Sequence, residues 1–151
     1  KLDLAISLSH NPDLMIFDEP TANLDPLSRD EILDLILEFT REDNKSVLIS
    51  SHILSDLEKI CDYICYISKG ELVLFEEKDY LLEKYALLKL GKEDYEKIPK
   101  EGIIFEEHNQ YGYELLVDSN FIPDSIPRQF TTLNDVVVKL IRSKKNENTA
   151  I

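Results

Sequence analysis

Two short apolar runs in this chain end in residues suited to chemistry. Leu14-Met15-Ile16-Phe17 gives way to Asp18-Glu19-Pro20, and Val47-Leu48-Ile49 gives way to Ser50-Ser51-His52. Adjacent carboxylates at the end of a core strand are expensive unless they face a cleft or a cation. An aspartate there can hold Mg²⁺ through water, because that hard cation prefers oxygen ligands and keeps part of its hydration shell. Glu19, one residue on, points to the other side of the strand and can polarise a water for attack. A histidine at the neighbouring strand end can hydrogen-bond a phosphate oxygen or orient that water. The residues alone suggest metal-assisted hydrolysis of a phosphate ester or anhydride. The plainer alternative makes Asp18-Glu19 a turn or helix cap and His52 a structural residue.

The intervening chain explains how these groups meet. An apolar run without alternation reads as a parallel strand buried on both faces. Between the two runs, Asp25-Pro26 starts a helix, with Asp25 a fit N-cap and Pro26 a fit first residue. The helix reaches about Arg41, with Ile32, Leu33, Ile36, Leu37 and Phe39 inward and Asp30, Asp34 and Glu38 on a solvated face. Asn44-Lys45 makes the turn. Strand, helix, strand is a βαβ unit, so Asp18, Glu19 and His52 emerge at one edge of a parallel sheet, where open α/β sheets bind ligands. Upstream, Lys1 to His10 reads as a helix without a capping residue, ended by Asn11-Pro12-Asp13; the natural chain is expected to extend before Lys1. Downstream come a short helix with Ile53, Leu57 and Ile60 inward, a hairpin of Tyr63–Ser68 and Glu71–Phe75 turning at Lys69-Gly70, and a helix from Lys78 to Tyr85.

Here the sequence resembles a known family. Leu14 to Pro20 is similar to the Walker B strand of ABC-type ATPases, Thr21-Ala22-Asn23-Leu24-Asp25-Pro26 to the D-loop, Ser50-Ser51-His52 to the switch-histidine strand, and Ser68-Lys69-Gly70-Glu71 to a later hairpin. The resemblance implies an ABC transporter ATP-binding subunit that uses ATP and Mg²⁺. It implies Asp18 as the Mg²⁺-associated acid, Glu19 as general base, His52 on the γ-phosphate, and Asp25 coupling two ATP sites across a head-to-tail dimer. Asn23 stands where many members carry glycine. Lys1 to Leu8 would be the helix following the family's signature motif.

The family's other parts are missing from these 151 residues. A phosphate loop needs G-x-x-x-x-G-K-[ST], and none of Gly70, Gly91, Gly102 and Gly112 is followed by Lys-Ser or Lys-Thr. The glutamine loop and glycine-rich signature are also lacking. The chain is therefore expected to be the second half of an ATPase domain, inactive and weak or unable in ATP binding by itself.

Composition limits the alternatives. With 17 basic and 30 acidic residues the net charge is −13, which argues against a nucleic-acid coat and against a metal-dependent nuclease built on Asp18 and Glu19. No apolar run approaches the roughly 20 residues of a membrane-spanning helix, and no secretory signal is expected. Cys61 and Cys65 are expected to be buried thiols in a reducing cytosol, with a redox pair as the alternative. His10 and His108 read as surface or packing residues.

From about Ala86 the composition shifts to a Lys- and Glu-rich stretch, Lys89 to Glu101, punctuated by Pro99 and Gly102. Gly102–Glu107 and Tyr113–Asp118 read as strands joined at Gln110-Tyr111-Gly112, and Pro123 and Pro127 mark a loop. A helix follows through Ile141, capped by Thr131 or Thr132, with Val136, Val137 and Leu140 inward; Ser143 to Ile151 is expected to fray. Thr132-Leu133-Asn134-Asp135 resembles the closing helix of drug and antibiotic-peptide exporter ATPases, which leans toward export.

The expected fold class is α/β: the C-terminal part of a P-loop NTPase domain with a parallel βαβ core over 1–85, a small α+β extension over 86–142, and a polar tail over 143–151. The expected partners are a membrane permease and a second ATP-binding subunit, identical or not, at the inner face of the cell membrane, with no nucleic acid. A non-transport ABC-type ATPase and a non-enzymatic interaction fragment are the rival readings.

Overall fold

A computed structural model of the chain describes residue 6 and residues 9–149, with side chains to residue 144. The helix expected over Lys1–His10 falls mostly outside the described residues. Two compact units are formed, Lys1–Ile60 and Cys61–Ile151.

In the first unit, β1 (Leu14–Asp18) and β2 (Ser46–Ser50) pair in parallel, in a register running from Leu14 opposite Ser46 to Asp18 opposite Ser50. Helix α1 (Pro26–Thr40) crosses between them, and α2 (Leu54–Ile60) follows β2. The start of α1 is well defined: Asp25 has extended backbone and its Oδ1 accepts from the Ser28 N–H at 3.0 Å, while Pro26, which has no N–H to satisfy, takes the first turn. Ile32 and Ile36 pack with Phe17, Leu24, Val47, Ile49 and Ile60. Strand alternation sends Leu14, Ile16 and Leu48 to the other face, where they are exposed. The strands were expected to be buried on both faces; among the described residues only the α1 side is covered. Lys59 of α2 bridges Asp34 at 2.8 Å and Asp30 at 3.4 Å, so the outer face of α1 is solvated but also tied down.

The second unit opens with the antiparallel hairpin β3 (Tyr63–Ser68) and β4 (Glu71–Glu77). Its turn residues Lys69 and Gly70 have φ of +51° and +80°, the pair of positive values that a two-residue hairpin turn matching strand twist requires. Helix α3 (Lys78–Lys84) leads without a break into β5 (Tyr85–Leu90). Then come α4 (Lys92–Tyr95), β6 (Ile103–Asn109), β7 (Gly112–Asp118) and α5 (Leu133–Thr149). The three strands form an antiparallel sheet in the order β5-β7-β6. One face buries Ala86, Leu88, Leu90, Leu115 and Val117 with Ile98 and Ile126. Helix α5 lies against the sheet and buries Leu133, Val136, Val137 and Leu140. At Gly112 a Cβ would come within 2.4 Å of the Leu90 carbonyl oxygen, so only glycine lets β7 approach the end of β5.

Three further features differ from expectation. The units divide at Ile60/Cys61 rather than near residue 85, because the hairpin runs directly into α3 and β5, and the Lys144 Nζ donates to the Val73 carbonyl at 2.5 Å. Helix α5 continues to Thr149, past Ile141, and its Ser143 hydroxyl donates to the Ile104 carbonyl at 2.9 Å where fraying was expected. Cys65 is exposed and Cys61 half-buried; both are free thiols, and burial pushes the Cys61 thiol up from its ordinary value. No helix among the described residues is long and apolar enough to cross a membrane.

Candidate active site

The parallel register does the first part of the positioning. It sets the last residue of β1, Asp18, directly opposite the last residue of β2, Ser50. The Ser50 hydroxyl donates to Asp18 Oδ1. The Ser50 carbonyl and Oγ both accept from the Glu19 N–H, at 3.0 and 3.2 Å. These bonds hold Glu19 at φ +49°, a left-handed conformation that costs a side chain with a Cβ roughly 1–2 kcal/mol. The bend redirects the chain as it leaves the strand.

Glu19 and His52, each just beyond a strand end, meet. Glu19 Oε2 lies 2.8 Å from His52 Nδ1, with the imidazole 71% exposed and the carboxylate 36% exposed. A carboxylate can only accept, so Nδ1 carries the donated proton and Nε2 is left for another group. Asp18, Glu19 and Ser50 together offer hard oxygens at an open edge. One strand-end carboxylate with room for water is the donor set that Mg²⁺ favours, so these residues fit that ion. Among the described residues no group of three or more His, Cys, Asp or Glu is placed to hold a metal ion, so protein side chains alone would not complete its shell.

Beyond Glu19 the chain makes two tight turns, Ala22 N–H to the Glu19 carbonyl at 3.1 Å and Leu24 N–H to the Thr21 carbonyl at 3.3 Å. Asn23 takes φ +61°, a region glycine enters freely and asparagine tolerates best among the other residues. Asp25 then caps α1. Its carboxyl is held below the ordinary range, chiefly by the Ser28 backbone N–H it accepts from. Its engagement is with the helix rather than with Asp18, Glu19 or His52.

Sequence reasoning gave Ser50 no role of its own, although aligning the two strand ends would have paired it with Asp18. It also missed the interior of this unit. Thr21 and Asp56 are almost fully buried, and the Thr21 hydroxyl donates to Asp56 Oδ2 at 2.7 Å. Arg29 Nε stands 3.9 Å from the same oxygen. Asp56 is the most buried residue of α2, where Ile53, Leu57 and Ile60 were expected to point inward and are half-buried. An aspartate in the first turn of a helix gives no sign in sequence that it is internal.

No family model matches the chain. It is similar to the lantibiotic transport ATP-binding protein SrtF of Streptococcus pyogenes, 37% identical over 107 residues that cover 71% of this chain and 42% of that protein. It is similar to the bacitracin transport ATP-binding protein BcrA of Bacillus licheniformis, 34% identical over 122 residues, 78% of this chain and 38% of that protein. The chain thus spans about two fifths of the length of these relatives. Among solved structures, an ABC transporter in an inward-facing conformation aligns with a TM-score of 0.48 at 16% identity, covering 76% of this chain and 44% of that one.

Proposed function

The chain belongs to the ABC transporter ATP-binding proteins, and from that premise we propose that it carries the hydrolytic edge of an ATP site, with Glu19 as general base and His52 as its partner. The observation that supports this best is the 2.8 Å approach of Glu19 Oε2 to His52 Nδ1 beside Asp18, at the carboxyl end of a parallel strand pair. Glu19 accepts a proton from the attacking water. By fixing one ring nitrogen, it also aims the other nitrogen of His52 away from itself, toward the phosphate being cleaved. Asp18, oriented by the Ser50 hydroxyl, would hold Mg²⁺, which would supply positive charge against the phosphates. Asp25 sets the start of α1 and helps couple this ATP site to the one of a second ATP-binding subunit.

These 151 residues contain no phosphate loop, so they do not by themselves build the cradle that ATP needs. The reading therefore applies to the complete ATPase that carries them. It would work at the cytoplasmic face of a membrane, paired with a second ATPase and a permease, and export fits the substrates named for the relatives SrtF and BcrA. The test is Mg²⁺-dependent ATP hydrolysis by the complete protein, wild type against Glu19→Gln. The variant is expected to bind ATP and lose turnover by about 10²-fold or more. Hydrolysis at the wild-type rate would remove Glu19 as base. Failure of both proteins to bind ATP would return the chain to the interaction-fragment reading.

A further inference from the structure

The buried Thr21–Asp56 pair, with the partly exposed Arg29 beside it, is not used by the chemistry above, yet it joins the segments that the chemistry depends on. Thr21 is two residues past Glu19, Asp56 four past His52, and Arg29 four past Asp25. The Thr21 hydroxyl and the Asp56 carboxylate lie 2.7 Å apart, almost fully buried. A carboxylate taken out of water is strongly unfavourable unless donors and a positive charge compensate it. Here the donor is the Thr21 hydroxyl, and the charge is Arg29. Arg29 Nε is itself buried, with no hydrogen-bond partner, and 3.9 Å from Asp56. An apolar pair in the place of Thr21 and Asp56 would fill the same space without desolvating a charge.

We propose that Thr21 and Asp56 are positioning residues that anchor the Glu19–Asp25 loop to the helix following His52, and so hold Glu19 and His52 at hydrogen-bonding distance, with Arg29 tying the same anchor to the helix that Asp25 caps. The inference rests on the hydrolytic reading of Glu19 and deepens it. The anchor reaches Glu19 from behind, through two residues of backbone. Two tight turns and two left-handed residues leave that loop no regular hydrogen-bond ladder of its own. Loss of the anchor misplaces the base without touching the nucleotide's binding surfaces, so it acts on turnover rather than on affinity.

The test uses the complete ATPase. Thr21→Val keeps the shape and removes the hydroxyl; Thr21→Ser restores it. Thr21→Val is expected to lower kcat about tenfold or more with KM for ATP changed less than about twofold, and Thr21→Ser to stay within about twofold of wild type. In a Glu19→Gln background, Thr21→Val is expected to add less than about twofold, because the misplaced base is already gone. An unchanged kcat in Thr21→Val, or an equal loss in both backgrounds, overturns the proposal. Hydrogen exchange by mass spectrometry reads the anchor independently. In wild type, the peptide spanning residues 19–25 is expected to be protected despite being a loop, and in Thr21→Val to exchange about tenfold faster while peptides of the second unit do not change. An unprotected wild-type loop overturns the proposal even if Thr21→Val fails to fold. Should Glu19→Gln hydrolyse at the wild-type rate, the hydrolytic reading falls, and the exchange data alone then uphold or remove the anchor.

Discussion

In the first unit, Thr21 and Asp56 are among the least exposed side chains while Leu14, Ile16 and Leu48 stand in solvent; in the second, Leu88, Leu115, Leu116, Val117, Leu133 and Val136 are sealed and the charged residues lie mostly outside. The difference follows from geometry. Within these 151 residues, two parallel strands have one crossover helix to cover them, which closes a single face of the pair. What the first unit gains is an open strand edge on which Asp18, Glu19 and His52 gather. The second unit covers both faces of its three-stranded sheet, though its hairpin leaves Tyr63, Ile67, Leu72 and Phe75 exposed, and it carries an ion pair into its interior. Lys139 shows this: 8% exposed, it donates to Glu114 at 2.6 Å and Glu107 at 3.0 Å, with its Nζ 4.9 Å above the Phe105 ring. A chemical edge and a well-filled core are built here from different stretches of one chain.

That contrast can be broken by substitution. Leu115→Ala removes a fully buried side chain from the centre of the second unit and is expected to cost about 3 kcal/mol, measured as a lower urea midpoint. Lys139→Met leaves two carboxylates without their shared cation and is expected to cost about 2 kcal/mol by the same measurement. The pH dependence sharpens this case. Burial pulls the Lys139 pKa down, but its bonds to Glu114 and Glu107 outweigh that and raise it; the Lys139 bond and charge lower the Glu107 carboxyl. A raised lysine contributes stability that is present below its ordinary value and lost as pH rises through the raised one. A lowered carboxyl contributes stability that is present above its ordinary value and lost as pH falls through the lowered one. Wild type should therefore lose stability at both extremes, and Lys139→Met should flatten both limbs.

In the first unit the effects are expected to be smaller. Asp25→Ala removes the cap of α1, and the Ser28 and Arg29 amides should exchange about fivefold faster. Because the Asp25 carboxyl is lowered, this contribution is present at neutral pH and fades as acid protonates it. The least effect belongs to the bare face: Leu48→Gln in the 151-residue chain should change stability by less than about 0.5 kcal/mol. A loss as large as that of Leu115→Ala would mean that the exposed apolar face is covered after all, and the contrast between the units would fail.

Much of this was legible in the sequence because it is written in local signals. Asp25-Pro26 announces a helix start, Lys69-Gly70 a tight hairpin turn, and Gln110-Tyr111-Gly112 the connection of β6 to β7; all three stand where expected. The convergence of Asp18, Glu19 and His52 on one edge was also readable, since a βαβ unit has little freedom in where its strands end. Strand β5 was not read, because Tyr85-Ala86-Leu87-Leu88-Lys89-Leu90 abuts α3 with no glycine or proline between them. The Thr21–Asp56 pair was invisible for another reason. Its partners lie 35 positions apart, and each residue alone reads as an ordinary polar turn or helix-start residue.

The outer edge of β5 has a consequence for how molecules of this protein meet. The Leu87 N–H donates to Thr131 Oγ1 at 3.1 Å, and the Lys89 N–H and carbonyl are both taken by the Gln129 side-chain amide, each at 3.1 Å. Side chains thus occupy the backbone groups to which a foreign strand would bind. With that rim sealed, strand addition is left to β6, which presents Glu106 and Glu107 and has the Ile104 carbonyl engaged by Ser143. Of this sheet's two rims, only the β6 side keeps backbone groups open to an incoming strand.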